Sequence, residues 1–122
     1  MLLAQHHVQL AMPRGGETEA IAFYAGVLGL ETVEKPEALR ARGGVWFERG
    51  PLRVHLGVEE PFAPARKAHP AFQVTALSTA IARLDAAGCA WRRDIDLPGL
   101  ARIYVDDPFG NRIELLELSP GP

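Results

Sequence analysis

Hydrophobic and polar positions along this chain follow two rhythms in turn, and the same succession occurs twice. In HVQLAM (7–12), Val8, Leu10 and Met12 fall on one side of an extended chain, with His7, Gln9 and Ala11 on the other. That is the period-2 pattern of a half-buried strand. HPAFQV (69–74) repeats it, with Phe72 and Val74 as the apolar positions opposite His69. A helical period comes next in each half. Thr18–Leu28 gathers Ile21, Tyr24, Ala25 and Leu28 on one stripe, and Ala76–Ala87 gathers Leu77, Ile81 and Leu84. Each stripe stops at a glycine, Gly29 or Gly88, where a left-handed residue would end the helix, and Thr18 and Thr75 are the candidate N-caps. Three further extended runs complete each half: 30–34, 43–49 and 52–59, then 89–93, 100–106 and 111–118. Arg49-Gly50-Pro51 and the segment from Asp107 to Asn111 supply the turns between the last two runs.

Each half therefore reads βαβββ, an α+β arrangement of two paired modules. Gly29 precedes His55 by the same number of positions as Gly88 precedes Glu114, as expected of one unit used twice. Module one covers 5–59, EPFAPARKA (60–68) with its two prolines is a connector, and module two covers 69–118. At 122 residues the whole chain, 1–122, suits a single domain.

Composition narrows the function classes. With 48% hydrophobic and 23% charged residues and a net charge of -2, the chain is neither disordered nor basic, so nucleic acid is not an expected partner. Its longest nearly apolar stretch, Ala20–Leu30, falls well short of the ~20 residues of a membrane-spanning helix. The single cysteine, Cys89, has no internal disulfide partner, and MLLAQHH lacks a basic n-region and a long apolar h-region. The expected location is the cytoplasm.

The duplication also aligns the candidate chemistry. His7 and His69 open the two modules, and His55 and Glu114 hold matching places on the last strands. Val54 and Leu56 flank His55, and Ile113 and Leu115 flank Glu114, so strand alternation turns all four polar side chains toward one concave surface. Three imidazoles and a carboxylate suit one divalent ion, zinc, nickel, manganese or iron, with positions left open for substrate oxygens. Their combined charge with a 2+ ion favours an anionic or vicinal-oxygen small molecule. Any one of these residues alone reads more simply as a satisfied strand histidine or a solvated carboxylate. Three of the 4 histidines at equivalent positions shift the balance to a metal. His6 has the opposite parity and reads as exposed or structural.

Arg102 and Tyr104 share parity on the strand before Glu114, where a guanidinium can hold a carboxylate and a phenol can donate a proton. Gln9 shares the face of His7. Repeat equivalence assigns Val45 and Phe47 to the same surface as apolar substrate contacts and leaves Trp46 for core or interface. Arg66-Lys67, Arg92-Arg93 and Arg40 with Arg42 read as solvated surface, and Cys89 as a buried, inert thiol.

At HVQLAMP and FYAGVLGL in the first half, and HPAFQV and DPFGNRIELLE in the second, the chain resembles the vicinal oxygen chelate superfamily of glyoxalases, bleomycin-resistance proteins and extradiol dioxygenases. The resemblance covers 5–118. It implies an eight-stranded cup around a metal ion and a homodimeric assembly. Its glyoxalase-like branch takes one ligand from each of four strands, which carries over onto His7, His55, His69 and Glu114. Such lyases and isomerases stabilise an enediolate formed when a glutamate removes a carbon-bound proton, the role this implies for Glu114. Where glutathione-using glyoxalases have an arginine, this chain has Ala11. The main alternative is an iron-dependent extradiol-type dioxygenase. IYVDDPFGNRIE (103–114) is similar to its signature, and His7, His69 and Glu114 match its facial triad, but its catalytic histidine is absent around Ile95, Asp96 and Leu97. Fosfomycin-inactivating thiol transferases share three ligands and the tyrosine. A non-catalytic drug- or metabolite-binding resistance protein is the further alternative.

Overall fold

The computed structural model describes residues 1–119. The chain divides into two compact units, Met1–Ala65 and a second that begins at Arg66, so the division falls inside the proline-containing connector. No helix among the described residues is long and apolar enough to cross a membrane.

In the first unit, β1 (Val8–Met12) leads into α1 (Glu17–Ile21), which continues as a π-helical stretch over Ala22–Val27. Then come β2 (Glu31–Val33), a short α2 (Glu37–Arg40), β3 (Val45–Arg49) and β4 (Leu52–Val58). The sheet order is β1-β4-β3-β2, with β1 parallel to β4 and the other pairs antiparallel. Leu10, Met12, Val45, Phe47, Val54 and Leu56 form the buried face, and Phe23 and Tyr24 belong to the same core, the Tyr24 and Phe47 rings lying 5.4 Å apart. Each such side chain contributes about 1.5–3 kcal/mol on leaving water.

The second unit repeats this plan: β5 (Ala71–Gln73), α3 (Leu77–Ala86), β6 (Trp91–Arg93), β7 (Leu100–Asp106) and β8 (Arg112–Leu118). Its order is β5-β8-β7-β6, with β5 parallel to β8. Leu77, Leu84, Ile103, Val105, Ile113 and Leu115 are buried in it. Both halves are thus βαβββ modules, as their periodicity predicts. The eight strands form two separate four-stranded sheets rather than one closed barrel.

Local details depart from the sequence expectations where non-local partners intervene. Gly29 (φ 82) and Gly88 (φ 71) end their helices in the left-handed region as expected. Neither threonine caps a helix. Gly16 occupies the first N-cap without a side-chain bond, and at the second the Leu77 N–H donates to the Glu117 carboxylate at 2.6 Å. That acceptor comes from β8, out of reach of any local capping signal. Gly43 and Gly44, expected to begin a strand, have φ of 77 and 87 and lie outside β3. The Asp107–Asn111 turn is satisfied internally. The Asp107 carboxylate accepts from the N–H groups of Phe109 and Asn111 and from the Asn111 side-chain amide, all at 2.9 Å.

Candidate functional site

The ligand candidates meet in pairs, one pair in each unit, and register explains how. Gln9 lies opposite His55 on β1 and β4, and Ala71 lies opposite Glu114 on β5 and β8. His7 stands two positions before Gln9, and His69 two before Ala71, so each shares the face of the last-strand residue in its own unit.

In the first unit the imidazoles of His7 and His55 stack with ring centroids 4.3 Å apart. The indole of Trp46 covers the His55 ring at 3.9 Å, nearly parallel to it. His7 is exposed and His55 buried. Burial holds the His55 pKa below the ordinary imidazole value, and the neighbouring His7 adds to this, against the opposing charge of Glu48. A neutral imidazole is the form that coordinates metals. Because folding favours neutral His55, its contribution to stability is complete above the ordinary imidazole pKa and is lost as pH falls through the lowered one. In chelator-treated protein the urea-unfolding free energy should therefore decline between about pH 7 and pH 5, and His55→Gln should flatten that decline. An equal decline in both proteins would contradict this assignment.

Trp46 on this face corrects the expectation for its neighbours. Trp46 is the direct cross-strand partner of His55, whereas Val45 and Phe47 pair with Leu56 and Val54 and point into the core. The cause is turn length. β3 and β4 are joined by Gly50 and Pro51 alone, whereas the longer segment from Asp107 to Asn111 joins β7 and β8. Counting from the glycines therefore slips the first hairpin by one residue and reverses its faces. Val45 and Phe47 are core residues, and Trp46 is the aromatic wall beside His55.

In the second unit His69 Nε2 and Glu114 Oε1 are 2.9 Å apart. His69 Nδ1 lies 2.8 Å from the Lys67 carbonyl, so the ring is held between two acceptors, one at each nitrogen. Histidines that bind metals usually rest their second ring nitrogen on a carbonyl or carboxylate, and His69 has such a group at each nitrogen. Glu114 is only 6% exposed.

Tyr104 is the cross-strand partner of Glu114, and its ring meets His69 edge-on at 5.2 Å. The Tyr104 hydroxyl accepts from Arg102 Nη1 at 3.2 Å, and the same nitrogen lies 3.6 Å from Glu114 Oε1. Arg102 also donates through Nε to the Ile95 carbonyl at 3.0 Å and lies 3.4 Å from Asp94 through Nη2. The Asp94 carboxyl is held below the ordinary range chiefly by the Ile95 backbone N–H, with Arg102 and a hydrogen bond from Tyr104 as lesser causes.

The donor types fit a divalent ion, and each pair is already in contact. Among the described residues, however, no three His, Cys, Asp or Glu side chains are grouped so as to hold one. Gln9 lies on the His55 face, and its side-chain amide occupies the space over Gly57. His6 is exposed, with Nδ1 3.0 Å from that of His7, and Cys89 is half-buried rather than buried. From the sequence, Trp46 falls to core or interface, Arg92 reads as solvated surface and Arg112 is not singled out. The available signal was parity, since Arg112 stands two positions before Glu114 and shares its face.

Two βαβββ units, each presenting paired ligand-type side chains on the sheet face away from its core, define a protein of the paired-module oxygen-chelate class. The chain belongs to the Glyoxalase/Bleomycin resistance protein/Dioxygenase superfamily, whose profile matches residues 5–115. It is similar to a protein assigned to the glyoxalase family from Bacillus anthracis, with 44% identity, 98% of each chain covered and a TM-score of 0.94. The fold also resembles the fosfomycin resistance protein FosX from Listeria monocytogenes (18% identity, 96% of this chain and 94% of that one, TM-score 0.75). Lactoylglutathione lyase from Agrobacterium tumefaciens is a further likeness (24% identity, 93% and 92% covered, TM-score 0.72). No curated protein matches.

Proposed function

We propose that this protein is a metal-dependent lyase or isomerase of the glyoxalase type, acting on a small molecule that presents neighbouring oxygens. The observation that carries this reading is the His69–Glu114 pair, with Nε2 and Oε1 2.9 Å apart and Nδ1 2.8 Å from the Lys67 carbonyl. His69 and Glu114 would hold the ion together with His7 and His55, in a homodimer of cytoplasmic location. The ion supplies Lewis acidity toward the substrate oxygens. Glu114 Oε1 takes the proton from the carbon beside those oxygens, and the buried setting of this carboxylate keeps bulk water from competing for it. Arg102, held by the Ile95 carbonyl and Asp94, orients the Tyr104 hydroxyl. The Tyr104 hydroxyl turns its proton from Asp94 to the substrate oxygen as negative charge develops there.

The test combines metal analysis with isotope exchange. Protein loaded with nickel, zinc or manganese should catalyse solvent-deuterium exchange at the carbon beside a carbonyl in a panel of α-hydroxy ketones and acyl thioesters, without oxygen uptake. Stoichiometric iron with oxygen uptake on catechols would replace this reading with the dioxygenase. Tyr104→Phe should slow the exchange by about 10²-fold while leaving metal content unchanged. A fully active variant would return Tyr104 to a structural role.

A further inference from the structure

The face of the second sheet that carries Glu114 also collects positive charge. Arg92 on β6, Arg102 on β7 and Arg112 on β8 surround a single aromatic ring, with their guanidinium carbons 5.4, 5.6 and 4.8 Å from the centroid of Tyr104. Register accounts for the convergence. Arg92 is the cross-strand partner of Tyr104, and Arg102 and Arg112 stand two positions before Tyr104 and Glu114 on their strands. Three cations around one phenol repel one another unless an anion lies among them.

The carboxylates of this unit do not saturate the cluster. Asp106 lies opposite Arg112 in the ladder, yet its Oδ1 is engaged by Arg92, at 3.5 Å and with both side chains about half exposed. Such a pair is weakly held. Arg102 is held more firmly, by the Ile95 carbonyl and Asp94. The Nε of Arg112 is buried and has no hydrogen-bond partner among the described residues. A buried charged donor without an acceptor is a standing cost, and an incoming oxyanion removes it. Beside Glu114, Asp106 and Asp94 meet this cluster, at 3.5 Å from Arg92 and 3.4 Å from Arg102.

We propose that Arg92, Arg102 and Arg112 form an oxyanion subsite around Tyr104, which receives a carboxylate or phosphoryl group of the substrate while its reacting carbon lies at Glu114. This deepens the proposed function and rests on it for the placement of the reacting carbon. The anion contacts themselves need no metal. Guanidinium forks bind both kinds of oxyanion through paired N–H donors, and lysine does not reproduce that geometry.

The experiment titrates inorganic phosphate and, separately, acetate into chelator-treated full-length protein, followed by calorimetry and by chemical-shift changes of the arginine Nε–H groups. The expected result is saturable binding of at least one anion, with a perturbed Arg112 Nε–H. Affinity should fall at least about tenfold in Arg112→Gln and in Arg92→Gln, and Arg112→Lys should fail to restore it. Arg42→Gln, which removes the same charge from an exposed position in the first unit, should bind as the parent does. Preference for phosphate over acetate assigns a phosphoryl group, and the reverse a carboxylate. If Arg112→Gln does not fold, Arg92→Gln and the Nε–H shift decide the question. Absence of binding, or equal weakening by Arg42→Gln, would overturn the subsite, the latter outcome meaning an adventitious ion only. Because metal is absent throughout, either result leaves the metal-dependent reading standing on its own test.

Discussion

Glu114→Gln should reduce solvent-deuterium exchange by about 10²–10⁴-fold, the span usually lost with a general base. It should also weaken metal binding, because glutamine keeps the shape of the side chain and removes its charge. The prediction follows from the proposal that one carboxylate serves as both base and ligand. Its Oε1 faces His69 Nε2 at 2.9 Å, and its cross-strand neighbour is Tyr104. With metal supplied in excess, the exchange defect should persist, which separates the loss of the base from the loss of the ligand. A variant that regains full exchange under excess metal would remove Glu114 from proton transfer.

The largest expected effect on stability comes from a residue without a functional group. Gly44 has φ 87, and a β-carbon added there would sit 2.2 Å from the carbonyl oxygen of Leu56, a backbone atom in the middle of β4. Gly44→Ala therefore combines a left-handed conformation that alanine resists with an overlap that no rotamer relieves. The expected loss is about 3–5 kcal/mol, from backbone strain together with displacement of a packed strand. Leu56 is the residue after His55, so the displaced strand carries the candidate ligand. Urea unfolding of Gly44→Ala beside Gly50→Ala makes the comparison. At Gly50 the added carbon meets nothing within 4 Å, and only the conformational cost remains. Equal losses in the two variants would refute the close-approach account.

How much of this was legible beforehand depended on whether the signal was local. The repeated βαβββ order, the helix-ending glycines and the placing of Tyr104 on the strand beside Glu114 follow from two periodicities and two turns. These are carried by neighbouring residues. The placing of Val45, Trp46 and Phe47 did not follow, because equivalence between halves assumed hairpins of equal length. In a strand one residue is the whole difference between core and site. The cap on α3 and the backbone partner of His69 were equally out of reach, since Glu117 and the Lys67 carbonyl act through contacts that periodicity does not encode. The wider turns over Ala22–Val27 leave no mark that separates them from an ordinary amphipathic helix. Arg112 was visible by parity alone. Its importance lies in a buried Nε without a partner, and that is a property of packing.

The proposed function rests on His7, His55, His69 and Glu114 as ligands of a metal ion. Calorimetric titration of chelator-stripped protein with zinc and with nickel, repeated on His55→Ala and on His69→Ala, tests it most directly. The account predicts one ion per chain in the parent protein, protons released on binding, and affinity lowered at least about tenfold by either substitution. Binding that survives either substitution unchanged, or a parent protein that takes up no ion, would contradict it.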